Sequence, residues 1–501
     1  MDGSVSGPAP VPASGSAPAG GSASAGAPAP PVASLPAEVN VVNVGLPLFA
    51  DAIRDQDGAV VDVEWRIPAG GRPELVAALT RLSGRWHDRV HAANEEVLRR
   101  LNAATPMLTG LARCDEAVPG VGSRTVLHCG PALDWAAAGD PLRRSIAATV
   151  VAEGWADGVT DVPGLVETGA VQLASANAHD TVLPMATAIG PSAPVLVVDD
   201  EAAGTRAFSA INQGSGQAPW MGVDTPEAVA RLITIRDVVA PVLGAALVSA
   251  GPIDVFGLVA QGLQMGDEVH MRSQATANLL WRTLLPHLVA VDAPNLVEAV
   301  RVLSANHLFF LNVAMAAAKA TLMAAYDVPD SSVVVGMSRN GTSFGIRLAG
   351  TGEQEFVAVA PPVGSALYHS GFGEQDAAPD IGDSALLELI GLGGAAAAAS
   401  PAVAAFLGGS VQDAIATSAE MELICAGRSS RFTLPLLEHR GSPLGVDACA
   451  VVETETTPAI NTGILHVSDG LGQVGAGIAR APLDCFQTAV LALDARLTAG
   501  G

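Results

Sequence analysis

Charge is scarce in this chain. Asp, Glu, Lys and Arg together make up only 15% of its 501 residues, and acids outnumber bases 50 to 26, for a formal net charge of −24. Nucleic-acid affinity rests on basic side chains that neutralise phosphates, so no nucleic-acid partner is expected. The same shortage argues against docking on acidic lipid. Aromatic residues are also few, at 4%, so the interior must be built from Ala, Val and Leu, which favour close helix packing. Five cysteines, Cys114, Cys129, Cys425, Cys449 and Cys485, lie scattered without a CxxC or CxxH spacing. That argues against a disulfide framework or a structural zinc and points to a reducing compartment. The N-terminus lacks the basic-then-apolar layout of a secretory signal. No run reads as a membrane span: the apolar stretch near Phe309 contains Lys319, and the alanine run around Ala395 is interrupted by Gly393, Gly394, Ser400 and Pro401. A soluble cytoplasmic protein with no membrane partner is the expectation.

What is present is a large apolar share, 49%, in a chain long enough for two to four domains. Residues 1–37 are Pro, Ala, Gly and Ser with almost no charge, which reads as a disordered tail without chemistry. Residues 39–44, 46–55 and 60–65 read as strand, helix and strand, a small βαβ unit opening a segment at 38–100. Asn43-Val44-Gly45 stands where a nucleotide-binding turn would, but G-x-G-x-x-G is absent there, which favours a structural role. Helices are predicted at 73–83, 91–103, 140–154 and 226–247, and strands at 125–128, 171–173 and 195–198, giving an α+β region at 101–250. Residues 251–328 are helical in period, and 329–495 mix strands with helices. Within that last region, 333–339 and 342–348 flank Asn340-Gly341 as a hairpin, because Asn-Gly satisfies the positive φ angles of a type I′ turn. That register sets Arg339 opposite Thr342 and sends Arg347 to the other face with Ser343. A glycine-rich loop is expected at 364–373, followed by a helix through Leu389 with Asp383 or Ser384 as its N-cap.

The stretch 254–326 carries polar groups that a plain core helix does not need. Ser304, Leu308, Asn312, Met315 and Lys319 step along one side at helical spacing. Lysine is almost never fully buried without a partner, so Lys319 demands a carboxylate, an anion or open water. Upstream lie Asp267, Glu268, His270 and Arg272. On a helix, Glu268 and Arg272 form an i,i+4 ion pair, while Asp267 and His270 share a face as a hydrogen-bonded pair or as two ligands of an incomplete metal set. His179, in a loop between Asn177 and Asp180, titrates near working pH and is the candidate for proton transfer, against the plainer reading of an incidental loop histidine. Arg206, Arg339, Arg347 and Lys319 together could hold a carboxylate or phosphate. Capping explains Asp383 but leaves Asp380 without a role. Gly470-x-Gly472-x-x-Gly475 matches the dinucleotide pattern by letter. Little chain follows it, however, and Pro482 interrupts what should be the phosphate-binding helix, so a close backbone or ligand approach is the better reading.

The stretches NVGLPLFA, VLHCGPALDW, AQGLQMGDEVHMR, NHLFFLNVAMAAAKA, SRNGTSFGIRLAG, PDIGDSALLE and INTGILHVSDGLGQVGAGIARAP together resemble one family, the AllG (YlbE-like) subunits of oxamate carbamoyltransferase. The likeness runs from Val39 to about Leu493. It implies a multi-subunit cytoplasmic enzyme of allantoin and purine-nitrogen breakdown, converting oxalurate and phosphate to oxamate and carbamoyl phosphate. A succinyl-CoA-synthetase-like (FdrA-type) chain would be among its partner subunits. The alternative is a non-catalytic assembly subunit for that chain. The implied fold is a multidomain α/β and α+β protein with a small Rossmann-like N-terminal unit, two α+β domains and an all-helical central insert. This sequence departs from the family pattern in two places. His-Glu-His-Gly-Ala-Val-Gly-Pro-Met reads as Asn177-Ala178-His179-Asp180-Thr181-Val182-Leu183-Pro184-Met185, and Asn-Glu-Gly reads as Asn212-Gln213-Gly214. A related ureido or amide acid is therefore an alternative substrate.

Carbamoyl transfer passes through an oxyanionic tetrahedral centre that needs hydrogen-bond donors, cations and a base. The expected catalytic groups are His179, Asp267 and Lys319. The expected substrate contacts are Arg206, Asn212, His270, Asn306, Asn312, Arg339, Asn340, Thr342, Arg347, Asp380, Asp383 and Asn461. The expected ligands are a small anionic substrate and phosphate. No cofactor is expected, and a divalent metal is left open with no ligand assigned.

Overall fold

The computed structural model describes residues 40–63, 67–406 and 408–500. The expected tail at 1–37 lies outside the described residues. Contacts divide the chain into two units, residues 1–65 and 66–501.

In the first unit, strands Asn40–Val44 and Ala59–Val63 pair in parallel, Asn40 beside Ala59 and Val44 beside Val63. Helix Pro47–Arg54 joins them, with Pro47 at a first-turn position where its missing N–H is no loss. Arg54 pairs with Asp51 and Asp62, and Asn43 Nδ2 donates to Asp62 Oδ1 at 2.8 Å. This is the expected βαβ turn. Among the described residues no third strand extends it, so its Rossmann likeness goes no further.

The second unit is mixed α/β with several small sheets. Its largest has five strands in the order Ile253–Asp254, Met107–Arg113, Pro194–Asp200, Thr205–Ala210 and Thr181–Val182. Helix Phe309–Met323 lies across two of these strands, Pro194–Asp200 and Thr205–Ala210. Its residues from Phe309 to Leu322 are all buried, Lys319 included. A helix apolar on every side has no water-facing stripe to offer a charged group. Two three-stranded sheets carry most of the remaining site. One is Val334–Arg339, Ser343–Leu348 and Glu355–Val359, and the other is Val363–Tyr368, Gln473–Arg480 and Ala459–Leu465.

Several expectations are corrected. Residues 265–273 form a loop between helices Val255–Gln264 and Gln274–Val289, not a helix, so the i,i+4 pair of Glu268 and Arg272 does not exist. The Glu268 carboxylate instead accepts the backbone N–H groups of His270, Met271 and Arg272, an arrangement that competes with helical bonding. The hairpin register differs too: Arg339 faces Phe344, not Thr342. The Asn340 side chain accepts the amides of Thr342 at 3.0 Å and Ser343 at 2.6 Å, which tightens the turn while only Gly341 takes a positive φ, +81°. Asp383 caps no helix, because both its oxygens are engaged elsewhere, and the helix after it is one turn, Leu386–Leu389. Part of the supposed loop at 364–373 belongs to strand Val363–Tyr368. Gly475 lies in strand Gln473–Arg480, paired antiparallel to Ala459–Leu465, so no phosphate-binding helix follows the glycines. One helical run, Pro226–Ala250, is long and apolar enough to cross a membrane, contrary to the expectation that none is. It packs on helix Gln274–Val289 and strand Met107–Arg113.

Four loops meet where the hairpin ends. Gly382 N–H donates to Arg339 O, and Asn340 Nδ2 donates to Pro131 O, both at 2.8 Å. Gly130 (φ +76°) comes so close that a Cβ there would lie 2.4 Å from Arg339 C and 2.5 Å from Asn340 N. Gly130→Ala is expected to lose about 3–5 kcal/mol, from left-handed strain plus a backbone collision. Gly154→Ala, at φ +72° with nothing within 4 Å, is expected to lose only about 1–2 kcal/mol. Urea denaturation of both variants checks the difference; equal losses would mean the loops do not pack this closely.

Candidate functional site

The loop junction is charged at its centre. Arg339 is fully buried, and its Nε and Nη2 reach Asp380 Oδ2 and Oδ1 at 2.8 and 3.0 Å in a bidentate pair. Thr462 Oγ1 and the Ile381 amide both donate to Asp380 Oδ1 at 3.0 Å. Such a pair is stable only when its remaining hydrogen bonds are met. Here one is not: Arg339 Nη1 is buried without a partner. Three residues on, Asp383 accepts the Gly130 amide at 2.7 Å and the Leu183 amide at 2.8 Å. Burial pushes its carboxyl up to about 6, against the pull of those amides, of Asn177 and of Arg339. Burial also raises the neighbouring Cys129 thiol well above its ordinary range, so that cysteine is no thiolate nucleophile.

Asn177 links this centre to Lys319. The ammonium donates to Asn177 O at 3.2 Å and to the Tyr326 hydroxyl at 2.9 Å, and it is only 5% exposed. The Arg347 guanidinium stacks on the same Tyr326 ring, 3.8 Å from its centroid, and its Nε is buried without a partner. Two cations thus flank one phenol, and among the described residues neither makes an ion pair. Glu355 feels the Lys319 charge without reaching ion-pair distance, and it accepts from Ser338 Oγ at 3.3 Å. His179, in the same short turn as Asn177, turns to Pro119 O at 2.7 Å. A carbonyl can only accept, so Nδ1 carries the hydrogen and Nε2 is left as the ring's other proton site.

A second buried group adjoins the first through strand Ala459–Leu465. Asn461, next to Thr462, donates to Glu268 Oε2 at 2.9 Å, and His270 Nδ1 meets Glu388 Oε1 at 2.8 Å. Burial raises Glu268 above its ordinary value, with His270 pulling it back. Asp267 stands apart from His270. Its Oδ2 accepts from Thr276 N and Oγ1, each at 2.7 Å, and its Oδ1 lies 3.3 Å from Arg272 Nε. A third group is an asparagine chain: Asn306 Nδ2 donates to Asn212 O, and Asn212 Nδ2 donates to Asn312 Oδ1 on the Lys319 helix. Arg206 lies outside all three, exposed and paired with Asp199, and Thr342 Oγ1 donates to Ala137 O at 2.7 Å. The structure therefore gathers Lys319, Arg339, Asn340, Arg347, Asp380 and Asp383 around one junction, spreads most of the other predicted residues among its neighbours and leaves Arg206 outside them. Among the described residues no three His, Cys, Asp or Glu side chains are arranged to hold a metal ion.

A family profile described as oxamate carbamoyltransferase subunit AllG matches residues 171–384. The Escherichia coli (strain K12) protein described as oxamate carbamoyltransferase subunit AllG is 38% identical over 411 residues, 81% of this chain and 97% of its own length. The chain belongs to the AllG family. The uncharacterized YahG of the same organism is also similar, 33% identical over 456 residues, 90% of this chain and 96% of that one. A solved structure, a conserved protein of unknown function from Enterococcus faecalis V583, superposes with a TM-score of 0.80 at 34% identity, covering 82% of this chain and 98% of that one. The stretch matched to the AllG profile runs from just before Asn177 to just past Asp383, so it contains Lys319, Tyr326, Arg339, Arg347 and Asp380.

Sequence reasoning missed Asn177, Tyr326 and Thr462 as members of this AllG-family junction. For Tyr326 a signal existed. Lys319 is the single lysine in the chain and Tyr326 one of two tyrosines, seven residues apart at the end of one helix. Asp383 gives the junction a measurable pH dependence. The folded chain holds this proton to about pH 6, whereas the unfolded chain releases it near the ordinary aspartate value of about 4. Native stability from this group is therefore present below that value and falls by about 3 kcal/mol as pH rises through 4 to 6. The stability advantage of the wild type over Asp383→Asn is expected to shrink by that amount between about pH 4 and pH 7. A constant difference would show that Asp383 stays charged throughout.

Proposed function

We propose that this chain is a carbamoyltransferase subunit that holds a small anion between Lys319 and Arg347. The observation that carries the reading is the buried Lys319 ammonium, held by a carbonyl and a phenol, with Glu355 near enough to feel its charge but no carboxylate at ion-pair distance among the described residues. Burying an unpaired ammonium costs several kcal/mol, and a phosphate or carboxylate brought beside it recovers part of that cost. Arg347, on the same tyrosine ring with an unused Nε–H, supplies a second cation and a directed donor.

In oxalurate phosphorolysis, a phosphate oxygen bonds to the ureido carbon and the carbon–nitrogen bond to the oxamate half breaks. The departing nitrogen collects a proton. Lys319 and Arg347 suit the charge that gathers on oxygen in the tetrahedral state. His179 Nε2 suits taking the proton that the attacking hydrogen phosphate loses and passing it to the departing nitrogen. Arg339 and Asp380, wholly buried, position the hairpin and loop rather than touch substrate. Asn177 stands where the family pattern has histidine, which favours a related ureido or amide acid as an alternative to oxalurate. The activity belongs to an assembly, with a succinyl-CoA-synthetase-like chain as the expected partner. A second reading, a non-catalytic assembly subunit, draws on the edge strand Glu355–Val359, which leaves Val357 and Val359 52% and 81% exposed.

The test is phosphate-dependent oxalurate cleavage by the chain alone and with its partner subunits. Lys319→Met and Arg347→Met are each expected to lower complex activity by about 10²–10³-fold. The melting temperature of Lys319→Met is expected to hold or rise, because the desolvation penalty is gone. Arg206→Gln is expected to change nothing. If Lys319→Met leaves activity intact while assembly still requires this chain, the assembly reading replaces the catalytic one.

A further inference from the structure

A cavity of about 570 Å³ opens between helices Pro226–Thr234 and Leu296–Ser304 and the loop at 213–215. Its cationic wall is made by Arg231 and Arg301. Arg231 Nη1 donates to two backbone carbonyls, Gln213 O at 2.9 Å and Ser215 O at 2.7 Å, which hold the guanidinium in place without neutralising it. Among the described residues neither arginine makes an ion pair, although Glu227 also lines the cavity, one helical turn before Arg231. Burial lowers the Arg231 pKa from its ordinary value, with no carboxylate acting against it. Elsewhere in this acid-rich chain the shifted arginines are raised by paired carboxylates, as at Arg81, Arg144 and Arg206. Gly214 (φ +73°) has no side chain to screen the wall. A Cβ there would sit 3.6 Å from Arg231 Nη1 and 3.7 Å from Asn306 Cγ.

We propose that this cavity is a second binding site, separate from Lys319, for a small carboxylate or phosphate anion held by the Arg231 and Arg301 guanidinium groups. Their fixed forks of N–H donors match the oxygen spacing of either anion, and a partly desolvated guanidinium gains more from an anion than a solvated one does. The cavity admits a compact anion with a short apolar segment, which would rest on Ile235 and Val302. The asparagine chain starting at Asn306 leads from this wall to Asn312 on the Lys319 helix, so the two sites share one rigid element.

The experiment is calorimetric titration of the full chain at low salt with inorganic phosphate and, separately, with oxamate. It is run in a Lys319→Met background so that the first site cannot contribute. The Lys319→Met chain is expected to bind at least one of the two probes saturably. Adding Arg301→Gln is expected to weaken that binding by about tenfold or more. Arg301 is exposed, so its loss leaves the fold intact, with an unchanged melting temperature as the check. The probe that binds identifies the anion class. Absence of saturable binding by Lys319→Met below roughly 10 mM, or equal binding with and without Arg301, overturns the proposal and leaves the Lys319 site untouched.

Discussion

Charge placed inside an interior of alanine, valine and leucine must be answered by another charge or by directed hydrogen bonds, and the junction around Arg339 is built by that requirement. A bidentate carboxylate, a threonine hydroxyl and two loop amides gather there because every unmet group in a low-dielectric interior costs far more than it does in water. The close approach of Gly130 and Gly382 follows from the same demand. Backbone N–H groups reach the Asp383 oxygens and the Arg339 carbonyl only if the loops touch without intervening side chains. Four segments far apart in the chain are thereby fixed to one another.

Lys319 shows the other outcome of the same physics. Its helix is apolar all round and lies across the main sheet, so the ammonium cannot reach bulk water except at one edge. It settles on a carbonyl and a phenol, with Arg347 stacked on the same ring. A site in that condition is less stable than a core of hydrocarbon would be, and a stability deficit of this kind is what binding of an anion offsets. Arg339 has a bidentate counter-charge in Asp380, although its Nη1 is left without a partner, whereas Lys319 and Arg347 have no ion-pair partner among the described residues. That difference in counter-charge, more than proximity, separates Arg339 from Lys319 and Arg347.

The surrounding groups repeat the pattern in a milder form. Glu268 is spread over three amides and Asn461, while Glu388 bonds to His270 and two amides through Oε1 alone and leaves Oε2 buried without a partner. Strand Ala459–Leu465 couples the two centres by presenting Asn461 to one and Thr462 to the other. Residues adjacent in sequence thus serve networks whose other members come from distant segments.

Much was legible from local signals. Helix Pro73–Ser83 and strand Thr125–His128 follow their periodicity to the residue, and the βαβ turn at the start pairs in parallel as its pattern required. The demand of Lys319 for a partner was readable from its apolar helix alone. The loop at 265–273, the hairpin register and the role of Asp383 were not readable, because in each the side chain bonds to backbone groups whose position depends on the tertiary fold. Glu268 takes amides that a helix would have used, Asn340 tightens its own turn, and Asp383 serves Gly130 and Leu183, more than 190 residues before it. Periodicity, composition and charge shortage are properties of the chain, so they determined which segments are helix or strand and which partners are excluded. Which cations are paired and which remain open depends on distances between segments remote in sequence, and only the folded packing decides those.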